Sequence, residues 1–386
     1  MEKLQLEYQN LLDRYLLFKE TDLSGRYLPY RFIKKPISKA GKFFRVQKIG
    51  SSALGEVIES ITIGNGKIKI LAWSQMHGNE STTTKAVFDL VNAFKLFPED
   101  PFLLNLKEHI TLRIIPMLNP DGAGVYTREN ANKIDLNRDA LNRNAKESII
   151  LRDEFERFQP DFCFNLHDQR TIFSAGESAV PATVSFLTPA MDDSRAVTPS
   201  REISMKVIAN IAGDLQHYIP GQIGRYDDAY NANCTGDTFQ TSNIPTLLFE
   251  AGHYPGDYQR ERSREFIVAA LFSGLKSIAS GSYKAYSNEA YFNIPENYKL
   301  FYDVILRKAR LGEEVVDVAI QFRESLENDK IIFVPYIDKI AASLSFYGHK
   351  EINCSEKELK TLGSQKLSEN DIVDKLLLNN EVLVIN

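Results

Sequence analysis

The segment KIKILAWSQMHGNE, residues 67–80, decides how this chain of 386 residues folds. Its first ten residues are mostly apolar and include β-branched and aromatic side chains, which is typical of a buried strand. The polar turn HGNE, residues 77–80, follows directly, and residues 81–97 then have the periodicity of an amphipathic helix. A strand that leads through a polar turn into a helix predicts an α/β unit.

Working outward, the same kind of apolar run recurs along the first 280 residues, each time beside a turn or a helical pattern. The further predicted strands are TLRIIPML (111–118), DFCFNLH (161–167), ATVSFLTPA (182–190) and PTLLFEAG (245–252), and helical patterns cover 198–218 and 261–279. This alternation predicts an α/β fold with a mixed, mostly parallel sheet flanked by helices.

The pattern changes after Gly281, where apolar and polar residues alternate in several short runs. We therefore predict two domains: residues 1–286, which include an amphipathic N-terminal helix, and a small β-rich accessory domain over residues 287–386.

Composition narrows the class of protein. Lys plus Arg is 46 and Asp plus Glu is 51, for a net charge of −5, and 43% of residues are hydrophobic. These values exclude collagen, a disulfide scaffold and bulk disorder, and the mild acidity argues against a nucleic-acid partner. No apolar run is long enough to span a bilayer, so no membrane partner is expected. Three cysteines without a CxxC pair, and a charged N-terminal segment, predict a cytoplasmic protein.

Polar side chains follow the predicted strands at their carboxyl ends, where ligands bind in open α/β sheets. His77 and Glu80 follow the first of these strands, and the turn NPDG, residues 119–122, follows the second. The third strand ends at His167, and the last one ends at Glu250. We therefore expect two histidines and two glutamates to converge at one edge of the sheet.

The spacing of His77 and Glu80 is weak evidence by itself, because six histidines and 51 acidic residues supply about one such match by chance. The context adds weight, since a first-turn carboxylate and a strand-end histidine can face one point. With His167 they form the two-histidine, one-carboxylate set that leaves a position open on a catalytic Zn²⁺. The alternative is a histidine that caps a helix beside an ordinary first-turn acid.

Glu250 stands in an apolar run, TLLFEA, which predicts that its carboxylate is nearly buried. A buried carboxylate is costly unless it has an ion or a partner. It fits the general base of a metal-bound water. The alternative is an edge strand from which Glu250 reaches solvent.

Two arginines stand near these positions in the chain. Arg138 lies in the loop segment DLNRD, residues 135–139, and Arg128 precedes it by ten residues. Their interpretation is either ordinary surface ion pairing or recognition of a carboxylate by a guanidinium fork, to which Asn137 adds an amide donor. Tyr230, in a polar loop before the last strand, is a candidate for covering a ligand.

Taken in order, these motifs resemble those of the zinc metallocarboxypeptidases related to carboxypeptidase A. The order is HGNE, NPDG, Arg128 followed after six residues by DLNRD, a strand ending in His167 and a strand ending in Glu250. The resemblance spans roughly residues 43–280, and the joint order of five motifs is far more specific than any one of them.

The resemblance implies a role for each candidate residue. His77, Glu80 and His167 match the ligands of one Zn²⁺ per chain. Glu250 matches the general base, and Arg128 matches the arginine that polarises the scissile carbonyl. By the same likeness, residues 1–286 form a catalytic domain of the zinc carboxypeptidase type.

The substrate-binding residues follow from the same likeness. Asn137 and Arg138 match the pair that holds the substrate's terminal carboxylate. Tyr230 matches the mobile tyrosine that closes over the substrate, and it precedes Gly236-Asp237 at about the family's spacing. One departure is Asn79, where many members carry an arginine.

The sequence therefore predicts zinc-dependent hydrolysis of an amide bond next to a free carboxylate, most directly by a metallocarboxypeptidase acting on peptides. One alternative on the same scaffold is an amidohydrolase of N-acyl amino acids or an enzyme that trims cell-wall peptides. An alternative of another class is an inactive peptide-binding module. The expected partner is a peptide or acyl-amino-acid substrate with a free carboxylate.

Overall fold

The computed structural model describes residues 2–363 and 366–385. The chain divides into two compact units: the first comprises Met1–Gln169 and Ala182–Asn297, and the second comprises Arg170–Pro181 and Tyr298–Asn386. The predicted division of the chain into two domains at residue 287 stays a prediction.

The helices of the described chain all lie in the first unit. They are α1 (Glu2–Leu12), α2 (Tyr15–Phe18), α3 (Tyr30–Ala40), α4 (Thr82–Leu96), α5 (Pro101–His109), α6 (Pro120–Val125), α7 (Lys146–Phe158), α8 (Pro199–Leu215), α9 (Thr235–Thr241), α10 (Glu261–Ser280) and α11 (Asn288–Phe292). Within the described residues, none of these helices combines the length and the apolar character that crossing a membrane requires.

The first unit is built on an eight-stranded sheet with the order β1-β2-β4-β3-β5-β9-β7-β8. Its strands are β1 (Arg45–Ser51), β2 (Val57–Ile63), β3 (Ile68–Ser74), β4 (Ile110–Ile115), β5 (Phe162–Asp168), β7 (Val184–Leu187), β8 (Ile223–Arg225) and β9 (Thr246–Ala251). Four of the seven neighbouring pairs are parallel and three are antiparallel. The predicted mixed, mostly parallel sheet flanked by helices is confirmed.

The alternation of side chains along β3 shows how the sheet is covered on both faces. Ile70 and Ala72 belong to a large core with the helices α4, α8 and α10. Leu71 and Trp73 point to the other face, into a smaller core that α7 completes. Because both faces are covered, polar groups on the central strands are accessible only at the strand ends.

The second unit is β-rich, as expected of the C-terminal region. Its strands are β6 (Phe173–Ala175), β10 (Asn297–Lys299), β11 (Phe301–Leu311), β12 (Glu314–Glu327), β13 (Lys330–Ala341), β14 (Tyr347–Asn353), β15 (Leu359–Thr361), β16 (Lys375–Leu378) and β17 (Glu381–Val384). They form a four-stranded sheet ordered β13-β12-β11-β14, a three-stranded sheet ordered β15-β16-β17, and a pair of β10 with β6. Val304, Ile320 and Leu376 lie in its separate hydrophobic core.

A buried ion pair fixes two helices of the first unit. Asp89 on α4 and Arg264 on α10 both have fully buried side chains and form two hydrogen bonds, of 2.6 and 2.5 Å. Arg264 also donates to the carbonyls of Glu20 and Leu23, and Tyr15 donates to Asp89. The pair therefore attaches the N-terminal segment to the helices that cover the sheet.

We expect the substitution Asp89→Ala to lower the free energy of unfolding by about 3–5 kcal/mol, because the buried Arg264 guanidinium loses its fully buried counterion and retains only the partly exposed Glu261 at 3.2 Å. Urea denaturation followed by circular dichroism measures the change. Glu156→Ala, which removes the partner of Arg152 on the exposed side of α7, is the control and should change stability little. Equal effects of the two substitutions would contradict the assigned role of the buried pair.

Candidate metal centre

The structure brings His77, Glu80 and His167 together at the carboxyl ends of β3 and β5. All three are buried or nearly so, and one nitrogen or oxygen atom from each lies within 4.8 Å of the others. His77 follows the last residue of β3 by three positions, and His167 is the penultimate residue of β5. The predicted convergence of these strand ends is therefore found.

The distances show that the three side chains point at one place. Nδ1 of His77 lies 2.8 Å from Oε1 of Glu80, and Nδ1 of His167 lies 2.8 Å from Oε2 of the same carboxylate. The two Nδ1 atoms are 3.2 Å apart. Two imidazole nitrogens and a carboxylate that converge in this way are a ligand set suited to Zn²⁺, with room for a further ligand.

The electrostatics of the cluster favour an anionic carboxylate beside a neutral imidazole. Burial acts to raise the pKa of Glu80, but His77 and His167 hold that pKa well below its usual range. Burial lowers the pKa of His167, against the opposing effect of Glu80. Burial acts to lower the pKa of His77, but Glu80 and Asp135 raise it above its usual value. Metal ligands must be deprotonated, so the directions at Glu80 and His167 favour cation binding, whereas at His77 a cation competes with a proton.

Asp135 is a site residue that the sequence analysis did not assign. Its Oδ1 lies 3.0 Å from Nε2 of His77 and accepts a 2.9 Å bond from the backbone N–H of Asn137. Such a carboxylate fixes the ring orientation and tautomer of a metal-binding histidine. Its position at the start of DLNRD was the available signal, but sequence alone does not show which ring it contacts.

Arg128 lies at the rim of the cluster, with 42% of its side chain exposed. Its Nε donates a 2.9 Å hydrogen bond to Oδ2 of Asp135, which orients the guanidinium. Its Nη1 is 3.3 Å from Nδ1 of His77 and 3.5 Å from Oε1 of Glu80. The arginine therefore presents positive charge directly beside the three candidate ligands.

Glu250 stands beside His167 because β5 and β9 pair in parallel, with these two residues in register. Its Oε2 atom is buried and, among the described residues, has no hydrogen-bond partner. Burial, and then the negative charges of Glu80 and Asp168, raise the pKa of Glu250 well above its usual value. A carboxyl group with so high a proton affinity, next to a cation site, is suited to general acid–base chemistry.

Asn137 and Arg138 lie in a short 3₁₀ segment, Leu136–Arg138, that leads away from the cluster. Oδ1 of Asn137 accepts a hydrogen bond from the backbone of Thr235, so the side-chain amide is held in place by α9. Nη1 of Arg138 donates to the carbonyl oxygen of Asn137 at 2.7 Å. This bond reaches the backbone of Asn137 and not its side chain, and the role of the pair stays a prediction.

Tyr230 is half-buried in the loop between β8 and α9. Within the described part of the chain, none of the hydrogen bonds of the cluster involves Tyr230. The role of Tyr230 therefore stays a prediction.

Asp237 is a second acidic group, which the sequence analysis used only through its spacing from Tyr230. It lies in the first turn of α9 and is 5% exposed. Burial raises its pKa to about 6, although the nearby Arg138 acts in the opposite direction. A largely buried carboxylate close to Arg138 makes this side of the site suitable for a cationic group.

The turns HGNE and NPDG are packed against each other through their glycines. A Cβ atom added to Gly78 would come within 2.0 Å of the backbone of Gly122. Asn119 caps α6 by accepting from Gly122 N at 2.9 Å, and its amide donates to the carbonyl of Met76 at 3.2 Å. The sequence predicted a turn at NPDG; the structure instead begins the short helix α6 there, and its cap holds the loop that carries His77.

Comparisons with known proteins agree with this geometry. A family model described as zinc carboxypeptidase matches residues 30–171. Carboxypeptidase SOL1 of Arabidopsis thaliana is 32% identical over 108 residues, which cover 26% of this chain and 22% of that protein. Gamma-D-glutamyl-L-diamino acid endopeptidase 1 of Lysinibacillus sphaericus is 31% identical over 97 residues, 24% of each chain. The matched segments thus span less than a quarter of either relative.

Solved structures show the same architecture. The crystal structure of a metallo-carboxypeptidase from Burkholderia cenocepacia aligns with a TM-score of 0.53 and 20% identity, over 66% of this chain and 70% of that one. At this identity the likeness establishes the fold. Together with the family match, it confirms the resemblance to zinc carboxypeptidases that the motifs indicate.

We expect the substitution Asp135→Asn to weaken zinc binding by about 10- to 100-fold, because His77 would lose the carboxylate that orients its ring. Competition with a zinc-binding dye measures the change. Asp193→Asn, the same substitution at an exposed position, is the matched control and should leave zinc affinity unchanged. If Asp135→Asn binds zinc as tightly as the unaltered chain, Asp135 does not orient His77.

Proposed function

We propose that this chain is a zinc-dependent metallocarboxypeptidase that removes C-terminal residues from peptides. The observation that carries the proposal is the convergence of His77, Glu80 and His167 beside Glu250, whose buried Oε2 has no hydrogen-bond partner among the described residues. The match to the zinc carboxypeptidase family supports the same chemistry.

The ligand set fits zinc because it combines two imidazole nitrogens with one carboxylate and leaves a position open. His77, Glu80 and His167 would hold the ion, one per chain. When bound, zinc acts as a Lewis acid and lowers the pKa of a coordinated water to about 7. Asp135 keeps the ring of His77 in the orientation that ligation requires.

Glu250 is the residue that would move the proton. Its carboxylate takes a proton from the attacking water and then delivers it to the leaving amine. The raised pKa of Glu250 suits the delivery of the proton to the leaving amine. A carboxyl group with a raised pKa stays protonated at neutral pH after the attack and can then donate that proton as an acid. The cation would lower that pKa and so make the first step possible as well.

The cationic residues would bind and orient the substrate. Arg128, at the rim of the cluster, would stabilise the negative charge that develops on the carbonyl oxygen. Asn137 and Arg138 would hold the terminal carboxylate, so that only the last peptide bond reaches the reacting groups. Tyr230 would cover the bound peptide.

Asp237 adds a preference among substrates. Its carboxylate is largely buried and lies close to Arg138, which would bind the terminal carboxylate. Arg138 would be engaged by the terminal carboxylate, so a basic side chain on the terminal residue would supply a cationic partner for Asp237 in the complex. We therefore propose that the preferred substrates are peptides ending in lysine or arginine. We also propose that the protein acts in the cytoplasm.

The alternatives on the same scaffold differ in their substrates. N-acyl amino acids retain the free carboxylate that Arg138 would bind, whereas γ-D-glutamyl peptides carry an unusual amide linkage. The comparisons do not favour either alternative, and an inactive binding module would not need the acid–base group at Glu250. Rates on a panel of peptides, N-acyl amino acids and γ-D-glutamyl peptides separate these functions.

We expect the substitution Glu250→Gln to retain about one zinc per chain and to lower kcat for a peptide by about 10³-fold or more, because the amide cannot accept the proton. Metal analysis and steady-state kinetics measure the two quantities. Glu156→Gln, at an exposed position on α7, is the matched control and should retain full activity. An active Glu250→Gln variant would show that another residue is the base.

We expect the substitution Asp237→Asn to reduce the ratio of kcat/KM for peptides ending in arginine over peptides ending in leucine by about tenfold or more, since a charged hydrogen-bond partner is lost. The kinetics of the paired peptides measure the ratio, with Asp193→Asn as the control. An unchanged ratio would mean that Asp237 does not contact the terminal side chain.

A further inference from the structure

Two adjoining cavities lie at the amino-terminal ends of the parallel strands, the edge of the sheet opposite to the candidate metal centre. One cavity has a volume of about 260 Å³, and the other has a volume of about 700 Å³. Arg45 on β1 and Arg113 on β4 line both of them, so the two cavities meet at these side chains, and we refer to the pair of cavities as the groove. Along β3, the length of the strand separates this groove from the metal centre by on the order of 20 Å.

The smaller cavity is strongly basic. Its charged lining consists of five cations, Arg45, Lys48, Lys69, Arg113 and Arg157, and one acid, Glu154. The Glu154 side chain is only 3% exposed and is bound by Arg113 at 3.1 Å and by Arg157 at 2.7 Å. Arg45 and Lys48 are exposed and have no carboxylate partner among the described residues. The cavity thus holds a positive charge that the protein does not neutralise, in a chain with a net charge of −5.

The strand register arranges part of this charge in a row. Arg45 pairs with Thr62 on β2, and Thr62 pairs in turn with Arg113 on β4. Residues directly opposite each other in neighbouring strands project from the same face of the sheet, so the two arginines flank the threonine hydroxyl. Within the described chain, Oγ1 of Thr62 and Nε of Arg113 are buried without a hydrogen-bond partner. The row therefore places two guanidinium groups on one face of the sheet, and the exposed Arg45 is the member that is free to donate to an anion.

The larger cavity provides an apolar surface next to these donors. Phe43, Phe44, Phe94 and Pro98 line it, and 61% of Phe43 is exposed. The charged groups in its lining, two arginines and two lysines, are all cationic. An exposed aromatic surface rimmed by positive charge, with no acid among the described residues that line it, favours an apolar ligand that carries negative charge.

We propose that this groove binds an anionic amphiphile, that is, a molecule with a carboxylate or phosphate head group and an alkyl chain or similar apolar body. The head group lies between Arg45 and Arg113 in the basic cavity, where guanidinium groups can donate paired hydrogen bonds. The apolar body extends over Phe43 and Phe44 in the larger cavity. The site is separate from the proposed catalytic groups and does not depend on their function.

Isothermal titration calorimetry on the full chain, with monomeric dodecanoate and dodecyl phosphate below their micelle concentrations, tests the proposal. We expect saturable binding of one molecule per chain. Dodecanol, which lacks the charge, and inorganic phosphate, which lacks the chain, are expected to bind about tenfold more weakly or worse. Equal binding of dodecanol and the anionic probes, or binding only to vesicles of anionic lipid, would overturn the proposal.

Substitutions locate the binding. Arg45→Glu and Phe43→Ser should each weaken the binding of dodecyl phosphate by about tenfold or more, because one removes a head-group donor and the other removes apolar contact. Lys42→Glu makes the same charge change as Arg45→Glu, three residues away at an exposed position outside the groove lining, and should change the affinity less than about twofold. All of these positions are exposed, and thermal unfolding confirms that each variant is folded. Equal losses in Arg45→Glu and Lys42→Glu would refute a defined site.

Discussion

The parallel register of β3, β5 and β9 is the constraint on which the candidate site depends. Because both faces of the sheet are covered, polar side chains of these strands are accessible only at the strand ends, and those of the candidate site lie at the carboxyl edge. The pairing of β5 with β9 sets His167 opposite Glu250, and the loop after β3 places His77 next to His167. The helices and the buried Asp89–Arg264 pair stabilise the sheet, and the sheet in turn sets the distances in the site.

The arrangement at this edge is costly for a protein unless a cation compensates it. Glu80, Glu250 and Asp168 bring three carboxyl groups into one buried region. Besides burial, the charges of Glu80 and Asp168 raise the pKa of Glu250, and the charge of Glu80 raises the pKa of Asp168. Two imidazole nitrogens also face each other at 3.2 Å. A divalent cation relieves both unfavourable features at once, which makes the geometry intelligible as a metal centre. Asp135 orients the ring of His77, and Arg128, held by Asp135, adds positive charge at the rim of the site.

Much of the site could be predicted from sequence because its signals are local. An apolar run that ends in a histidine or a glutamate predicts a buried strand and places the polar side chain at the end of that strand. His167 and Glu250 are examples. The contacts of Asp135 could not be predicted, since they depend on how a loop folds back over β3. The helix that starts at NPDG was missed because Pro and Asn favour turns and helix starts alike. The strand β6, Phe173–Ala175, belongs to the second compact unit and pairs with β10, which lies more than 100 residues later in the chain. Local sequence patterns do not contain information on such a long-range pairing.

A carboxypeptidase of the proposed kind removes residues only from a free carboxyl terminus. Mass spectrometry of a peptide incubated with the zinc-loaded protein, alongside the same peptide with an amidated C-terminus, tests it directly. We predict a ladder of products from the free peptide, each shorter by one C-terminal residue, and no change in the amidated peptide, which cannot engage Arg138 through a carboxylate. Internal cleavage, or equal cleavage of the amidated peptide, would show that the chain is not a carboxypeptidase.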